Sequence, residues 1–189
     1  NIEVGVGLGG DRWRGADHWV DEVDPELTLA TLLERSEVVV LGVDGGGLDD
    51  LLGVAVLGRE IGGRRWLLWN KAWAPEGALT LRKAEAARFR DFQRDGQLVI
   101  VRDMEEAFSD VADLALQIDQ AGVLHGVALD PMGVGLIIDA MVEREIAAER
   151  CIGIPQGWKL NGAIKSVEVK LASGAMVHAG QSMMAWCVG

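Results

Sequence analysis

Three apolar runs, close together and joined by short glycine-rich connections, most constrain how this chain can fold. The runs cover residues 38–43, 51–57 and 65–73, and the connections cover 44–50 and 58–64. Short apolar runs bounded by turn residues are typical of buried strands, and connections this short join strands that run in opposite directions. The sequence therefore predicts three consecutive antiparallel strands.

Beyond residue 73, helical and strand patterns alternate. The predicted helices cover residues 79–94, 105–120, 134–145 and 158–173, and the predicted strands cover 98–101, 123–129 and 151–154. Three antiparallel strands followed by this alternation predict an α/β fold with a mixed sheet flanked by helices. The order is that of a ribonuclease H-like fold, with residues 79–101 as an insertion after the third strand.

The chain of 189 residues is long enough for one domain with a sizeable core. Residues 1–36, which predict only a short helix, are interpreted as an N-terminal arm or linker from an upstream domain, and residues 37–189 as the domain itself. No leader pattern and no apolar run of about 18 residues occurs, so we expect no membrane span. Cys151 and Cys187 lie apart, which is typical of reduced thiols in a cytosolic protein.

The formal net charge of −11 argues against a protein that holds nucleic acid with its whole surface. It does not exclude a nuclease, because the carboxylates of a metal site are themselves acidic. Another domain can also hold the DNA.

Two carboxylates stand at the ends of predicted strands. Asp44 is followed by Gly45, Gly46 and Gly47, which leave room beside the carboxylate for a metal ion and a phosphate. Asp130 follows the strand at 123–129; an acidic turn at Asp44 and a helix N-cap at Asp130 are the alternatives. Hard divalent cations prefer oxygen ligands, and two strand-end aspartates of one sheet can hold them. The pair predicts metal-dependent cleavage of phosphodiester bonds.

A site for two ions needs more carboxylates than these two. Asp49 and Asp50 follow the glycines, and Asp50 is preferred as the third ligand because it lies nearer the second strand, with a solvated turn as the alternative. Glu168 and the pair Asp139 and Glu143 are interpreted as solvated helix residues.

Basic residues cluster in two of the predicted helices. One cluster consists of Arg82, Lys83, Arg88, Arg90 and Arg94. The other consists of Lys159, Lys165 and Lys170; on a helical wheel Lys159 and Lys170 fall about 20° apart. These three lysines are candidates for contact with a DNA backbone, and a solvated helix face is the alternative. His178 is expected to be an ordinary loop residue, with positioning of water or contact with DNA as its alternative role.

Four segments, in this order and spacing, resemble the C-terminal nuclease domain of the phage large terminase subunit, the DNA-packaging motor. They are Val-Val-Leu-Gly-Val-Asp-Gly-Gly at 39–46 with Asp-Asp-Leu at 49–51, Ala-Leu-Asp-Pro-Met-Gly-Val-Gly at 128–135, Gly-Ile-Pro-Gln-Gly-Trp-Lys-Leu-Asn-Gly-Ala-Ile-Lys at 153–165, and His-Ala-Gly-Gln-Ser-Met-Met-Ala-Trp at 178–186. The resemblance runs from about Trp13 to Gly189.

The resemblance implies a ribonuclease H-like fold, two divalent ions (Mg²⁺ or Mn²⁺) and endonucleolytic cutting of concatemeric double-stranded DNA at the start and end of packaging. Asp44 and Asp130 match the first two catalytic carboxylates of the family, so that Asp44 would bridge the ions and Asp130 would bind one of them during in-line attack. The third carboxylate of the family lies beyond the position of Gly189. We therefore expect a C-terminally truncated nuclease domain that holds metal weakly and cuts poorly.

The resemblance also implies partners and a location. The expected partners are double-stranded DNA, the portal protein, the small terminase subunit and the ATPase domain of the same polypeptide, which would precede Asn1. The expected location is the cytoplasm of the host cell, at the procapsid during packaging.

Other readings of the residues stay open. Actin-like ATPases and sugar kinases use a similar strand-Asp-Gly-Gly turn, although Asp49 and Asp50 would repel a nucleotide that carries no metal. A junction resolvase would perform the same chemistry on branched DNA, and a docking module for the portal would need no catalysis. The sequence contains no P-loop, no nucleophile elbow and no zinc signature.

Overall fold

A computed structural model describes residues 13–47, 50–131 and 135–189 of the chain. Within these ranges a seven-stranded sheet forms the centre of the molecule. Its strands are β1 (Ser36–Gly45), β2 (Leu52–Glu60), β3 (Trp66–Pro75), β4 (Leu98–Val101), β5 (Leu124–Leu129), β6 (Cys151–Gly153) and β7 (Met176–His178). The helices are α1 (Ala16–Trp19), α2 (Leu29–Arg35), α3 (Glu76–Leu81), α4 (Ala86–Arg94), α5 (Met104–Gln120), α6 (Gly135–Glu143), α7 (Asn161–Ala172) and α8 (Ser182–Val188).

The strands follow the order β4-β3-β2-β1-β5-β6, and β7 pairs with the first residues of β3. Among the described strands only β2 runs against the others, because β1 is antiparallel to β2 and β2 to β3, while all other pairs are parallel. Six strands therefore place their carboxyl ends at one end of the sheet. This is the mixed sheet that the sequence predicts.

Helices cover both faces of the sheet, because each strand alternates its side chains between two apolar layers. On one face Leu41, Val54 and Trp73 pack with apolar residues of α2, α5 and α6. On the other face Leu68 packs with α1, α7 and α8, and Ala72 packs with α3, α4 and α8. The second face is the one that carries the site.

Two predicted helices differ from the observed ones. The helix predicted over residues 79–94 is divided into α3 and α4 by a turn, which lets Ala78 and Phe89 pack into one cluster over the sheet. The helix predicted over 158–173 begins with a 3-10 turn, Gly157–Leu160, and continues as α7. The helical wheel on which Lys159 and Lys170 fall about 20° apart assumes a continuous α-helix. Because Lys159 lies in the 3-10 turn, this predicted placement of the two lysines is wrong.

The first described residues belong to the same core as the sheet. Trp19 is buried among Leu68 and Leu171, and Leu32 of α2 is buried against the first strands. The short helix predicted near Leu29 is confirmed as α2, which begins with a capping box between Thr28 and Thr31. In the described part of the chain, no helix has the length and apolar character that a membrane span requires.

Candidate functional site

The structure brings Asp44 and Asp130 to the same place. In the parallel pair of β1 and β5, Val43 lies opposite Leu129, so the residues that follow them are neighbours at the carboxyl end of the sheet. Both side chains belong to the face opposite the buried Val43 and Leu129. They line one cavity of about 630 Å³. Two residues far apart in sequence thus present carboxylates to one cleft.

Small residues form the floor of this cavity. The strand positions involved, all on the face of Asp44, are Gly42, Gly53, Ala55, Ala72 and Ala128. On the opposite face the same strands carry Leu41, Val43 and Val54, which are buried against the helices. Because these side chains are short, they leave the space above the strand ends unfilled, and the cleft opens there.

A glycine turn fixes the end of β1. Gly45 has φ +88, and a Cβ at this position would lie 2.0 Å from the carbonyl oxygen of Leu51. The N–H of Gly46 donates to that same oxygen at 3.2 Å. Only a residue without a side chain can turn here so close to the next strand, so Gly45 sets where the strand ends and where Asp44 stands.

Asp50, predicted as the third ligand, lines the same cavity and takes part in an ion pair. Its Oδ1 atom accepts a hydrogen bond from the N–H of Leu51 at 2.8 Å and lies 3.2 Å from a guanidinium nitrogen of Arg82. Asp49 lies outside the described residues. Among the described residues no group of three or more His, Cys, Asp or Glu side chains is arranged to hold a metal ion.

Amide side chains that the sequence analysis did not select complete the wall of the cavity. The N–H of Asn70 donates to Oε1 of Gln181 at 2.7 Å, and Nε2 of Gln181 donates back to the carbonyl oxygen of Asn70. Gln181 thereby takes the place of a strand residue on the edge of β3, between β7 and β4. Gln97 accepts from the N–H of Met183 at 2.7 Å and so holds the first turn of α8.

The three candidate lysines lie at different distances from the carboxylates. Lys159 is exposed and directly precedes Leu160, which lines the cavity. Lys165 is exposed and pairs with Glu168 at 2.8 Å. The Nζ atom of Lys170 lies 5.9 Å from the ring centre of Trp66. Trp66 begins β3, six residues before Ala72, which is level with Asp44. At about 3.3 Å per residue, the ring beside Lys170 therefore lies roughly 20 Å along the strand from the level of Asp44.

Two predictions about side chains near the C-terminus are wrong. The side chain of Glu168, a residue of α7, is only 15% exposed, and its Oε2 atom lies 2.8 Å from Nζ of Lys165. His178 is not a loop residue: it is 2% exposed in β7 and stacks on Trp19 with ring centres 3.8 Å apart. Asp139 and Glu143 are exposed, as predicted.

His178 is held as a neutral ring. The N–H of Gly180 donates to Nδ1 at 3.1 Å, so the proton is on Nε2, which donates to the carbonyl oxygen of Trp19 at 2.7 Å. Burial lowers the pKa of His178 below its usual value, and the hydrogen bond to Trp19 opposes this shift. His178 therefore ties the first described residues to the sheet.

No family model and no curated protein matches the sequence. Among solved structures, the large terminase of bacteriophage HK97 superposes with a TM-score of 0.66 at 18% sequence identity, over 87% of this chain and 36% of that one. The terminase nuclease domain of human cytomegalovirus, soaked with Mn and bound to an inhibitor, matches with a TM-score of 0.48 at 10% identity, over 92% of this chain and 77% of that one.

The chain thus spans about a third of the length of the HK97 protein, with 36% of that protein covered. At this identity the likeness concerns the fold. The resemblance to large terminases found in the sequence is confirmed as a shared fold, a mixed ribonuclease H-like sheet flanked by helices.

Proposed function

We propose that this chain is the nuclease domain of a viral DNA-packaging terminase and cuts concatemeric double-stranded DNA by divalent-metal-dependent hydrolysis. The observation that carries the proposal is the placement of Asp44 and Asp130 at the carboxyl ends of adjacent parallel strands, facing one cleft. The HK97 likeness supports it through the fold. The natural partners in this proposal are the ATPase domain, the portal and the small subunit, at the procapsid in the host cytoplasm.

The donor set of the cleft suits a hard divalent ion. Asp44 and Asp130 offer carboxylate oxygens, and Mg²⁺ is commonly held by one or two carboxylates together with waters and substrate phosphates. Two ions would need a further carboxylate. Among the described residues that line the cavity, Asp50 is the acidic residue besides Asp44 and Asp130. When bound, such ions supply Lewis-acid polarisation of the phosphate and a more acidic water.

The role of the chain's own residues in this proposal is to bind the ions and to orient them toward the phosphate. Asp44 and Asp130 would hold the ions, and the rigid ends of β1 and β5 fix the two carboxylates relative to each other. The small floor admits a phosphate close to the strand ends, since no side chain longer than alanine projects there at Gly42, Gly53 or Ala128. To act as a ligand, Asp50 would coordinate through Oδ2, or its Oδ1 atom would have to leave Arg82.

The substitution Asp44→Asn tests the proposal, because it keeps the side-chain shape and removes the charge that a cation needs. We expect the complete protein with this substitution to lose metal-dependent nicking of plasmid DNA by at least about a hundredfold, since even outer-sphere partners of a metal are worth 10- to 100-fold. The rate of nicking would be measured with Mg²⁺ and with Mn²⁺, and folding by circular dichroism.

The matched control is Asp139→Asn, which removes an exposed carboxylate of α6 away from the cleft. This variant should cut at the rate of the unchanged protein. Full cleavage by the folded Asp44→Asn protein would refute the assignment of Asp44, and with it the proposed metal site.

A further inference from the structure

The segment that carries α3 and α4, which we call the basic wall, packs beside the cleft against Leu51 and Met183, although no described residue of the segment lines the cavity itself. Asp44 lies opposite Gly53, and Gly53 lies opposite Ala72, so all three belong to one face of the sheet. On that face Ala72 packs with Phe89 and Phe92 of α4. Leu51 and Met183, which pack against the same cluster, line the cavity. The insertion thus stands beside the carboxylates, on their side of the sheet.

The basic wall carries positive charge in an acidic protein. Residues 82–94 contain five of the chain's 18 Lys and Arg residues, whereas the chain as a whole has a net charge of −11. In the same stretch the acidic residues are Glu85 and Asp91. A polyanion approaching the molecule is therefore repelled by most of its surface and attracted here.

Three of the five cations are available to a ligand. Arg82 pairs with Asp50, and Arg94 pairs with Asp91 and Asp95. Lys83, Arg88 and Arg90 are exposed, and within the described residues they take part in no ion pair. The guanidinium of Arg88 lies 5.7 Å from the ring centre of Trp186, which holds it beside α8 and hence beside the cavity.

The opposite wall of the cleft is also cationic. It is formed by the 3-10 turn Gly157–Leu160 and the residues before it, of which Gln156 and Leu160 line the cavity. Between them Lys159 is exposed, and Trp158 has 78% of its surface exposed. The cavity of the carboxylates thus lies between the α3–α4 segment, which borders it, and the 3-10 turn, and both present cations to solvent.

We propose that the α3–α4 segment binds the sugar–phosphate backbone of duplex DNA through Lys83, Arg88 and Arg90 and thereby seats the duplex across the cleft of Asp44 and Asp130. The inference rests on the proposed function, in which DNA is the substrate. Lys159 on the opposite wall contacts the backbone on the other side of the cut. The contacts are to phosphates, so they position the duplex and are independent of its base sequence.

Binding can be measured apart from cleavage. The probe is a fluorescein-labelled 30-base-pair duplex, titrated in EDTA with the complete protein while its fluorescence anisotropy is followed from 50 to 200 mM KCl. The test variant is Lys83→Gln/Arg90→Gln, which spares Arg88 and its contact with Trp186. We expect the affinity of this variant for the duplex to fall about tenfold. The slope of log Kd against the logarithm of the salt concentration should decrease by about two, one for each lost phosphate contact.

The matched control removes the same charge from the other end of the sheet. Arg59→Gln/Arg64→Gln changes the ends of the β2–β3 connection, and Arg59 lies near the start of β1, far from Asp44. This variant should bind like the unchanged protein. Thermal unfolding followed by circular dichroism would show that both variants are folded.

The outcomes separate this inference from the proposed function. Weaker binding by the Lys83/Arg90 variant alone supports DNA binding by the basic wall, even if no variant cuts DNA and the nuclease proposal fails. Equal weakening by both variants overturns it, since net charge would then be the cause. Unchanged DNA affinity also overturns it, even if cleavage is normal, and would leave an acidic protein surface as the ligand of these cations.

Discussion

Gly45 decides where β1 ends and therefore where Asp44 stands. Its φ of +88 and the 2.0 Å separation between a Cβ at this position and the carbonyl oxygen of Leu51 exclude any side chain without a shift of the backbone. We expect Gly45→Ala to lower the free energy of unfolding by about 2 kcal/mol, the usual cost of a strained backbone at a non-glycine residue. Urea unfolding followed by tryptophan fluorescence would measure it.

The same substitution should not destabilise the protein at Gly77. This glycine lies inside α3, where a Cβ would meet no atom within 4 Å. Alanine is favoured over glycine in a helix by up to about 1 kcal/mol, so Gly77→Ala is expected to leave stability unchanged or to raise it. Unchanged stability of Gly45→Ala, measured beside Gly77→Ala, would show that the turn at Gly45 does not need glycine.

At the scale of single residues, the sequence predicts the candidate carboxylates but not the contacts that other side chains make in the fold. Asp44 and Asp130 are predictable because each ends an apolar run, and strand ends of a parallel pair meet at one edge. The pairing of Asp50 with Arg82 is not predictable, because it depends on how α3 ends beside the cleft. Nor is the burial of His178, since its stacking partner Trp19 is far away in sequence.

At the scale of elements, prediction succeeds where the periodicity is long or the run is bounded by turns. The stripe of Ala107, Val111, Leu114 and Ile118 predicts α5, and β4 is observed at the predicted residues 98–101. Prediction from the sequence fails for β7, because this strand has only three residues and is specified by its pairing with β3. It fails also for the break between α3 and α4, because the packing of Phe89 over Ala72 overrides the helical pattern.

Gln181 joins elements that backbone pairing leaves separate. β7 pairs with β3 up to Leu68 and β4 from Ala72 onward, and the amide of Gln181 satisfies Asn70 between them. We expect Gln181→Ala to lower the free energy of unfolding by about 1–3 kcal/mol, because it leaves the N–H and the carbonyl group of a partly buried residue without partners. Urea unfolding would measure the loss.

Two further variants test the cause of this effect. Gln181→Glu keeps the acceptor for the Asn70 N–H and loses the donor, so its stability should lie between those of the unchanged protein and Gln181→Ala. Gln117→Ala, on the exposed side of α5, removes a glutamine whose side chain makes no such bonds to the described residues, and it should change stability little. A loss at Gln117 as large as that at Gln181 would contradict the role of the amide bridge.

At the scale of the whole molecule, the sequence predicts the mixed sheet but not the cleft. Short connections predict β1, β2 and β3 as neighbours, and the alternation of helices and strands predicts further strands in the same sheet. The structure adds that β5 and β6 join on the side of β1 and β4 on the side of β3. The cleft needs three strands to carry small residues at the same level, as Gly42, Ala55 and Ala128 do. That coincidence becomes visible only when the register between the strands is known.

His178 makes the stability of the whole fold depend on pH. Its ring joins β7 to Trp19, and the observed bonds require the neutral form, because Nδ1 accepts from Gly180. Burial lowers the pKa of His178 in the folded state, so the unfolded chain binds more protons than the folded chain below the usual histidine pKa of about 6.5. The contribution of His178 to the free energy of unfolding is therefore complete above about pH 6.5 and decreases as the pH falls below this value.

Thermal unfolding between pH 5 and 8 therefore provides a test with two variants. His178→Gln should be less stable than the unchanged protein at pH 8 and should lose part of the fall in Tm below about pH 6.5. His125→Gln, in which an exposed histidine of β5 is replaced, should keep the pH profile of the unchanged protein. If the fall in Tm persists in full in His178→Gln, the carboxylates cause it, and the link between β7 and Trp19 is not the pH-sensitive part of the fold.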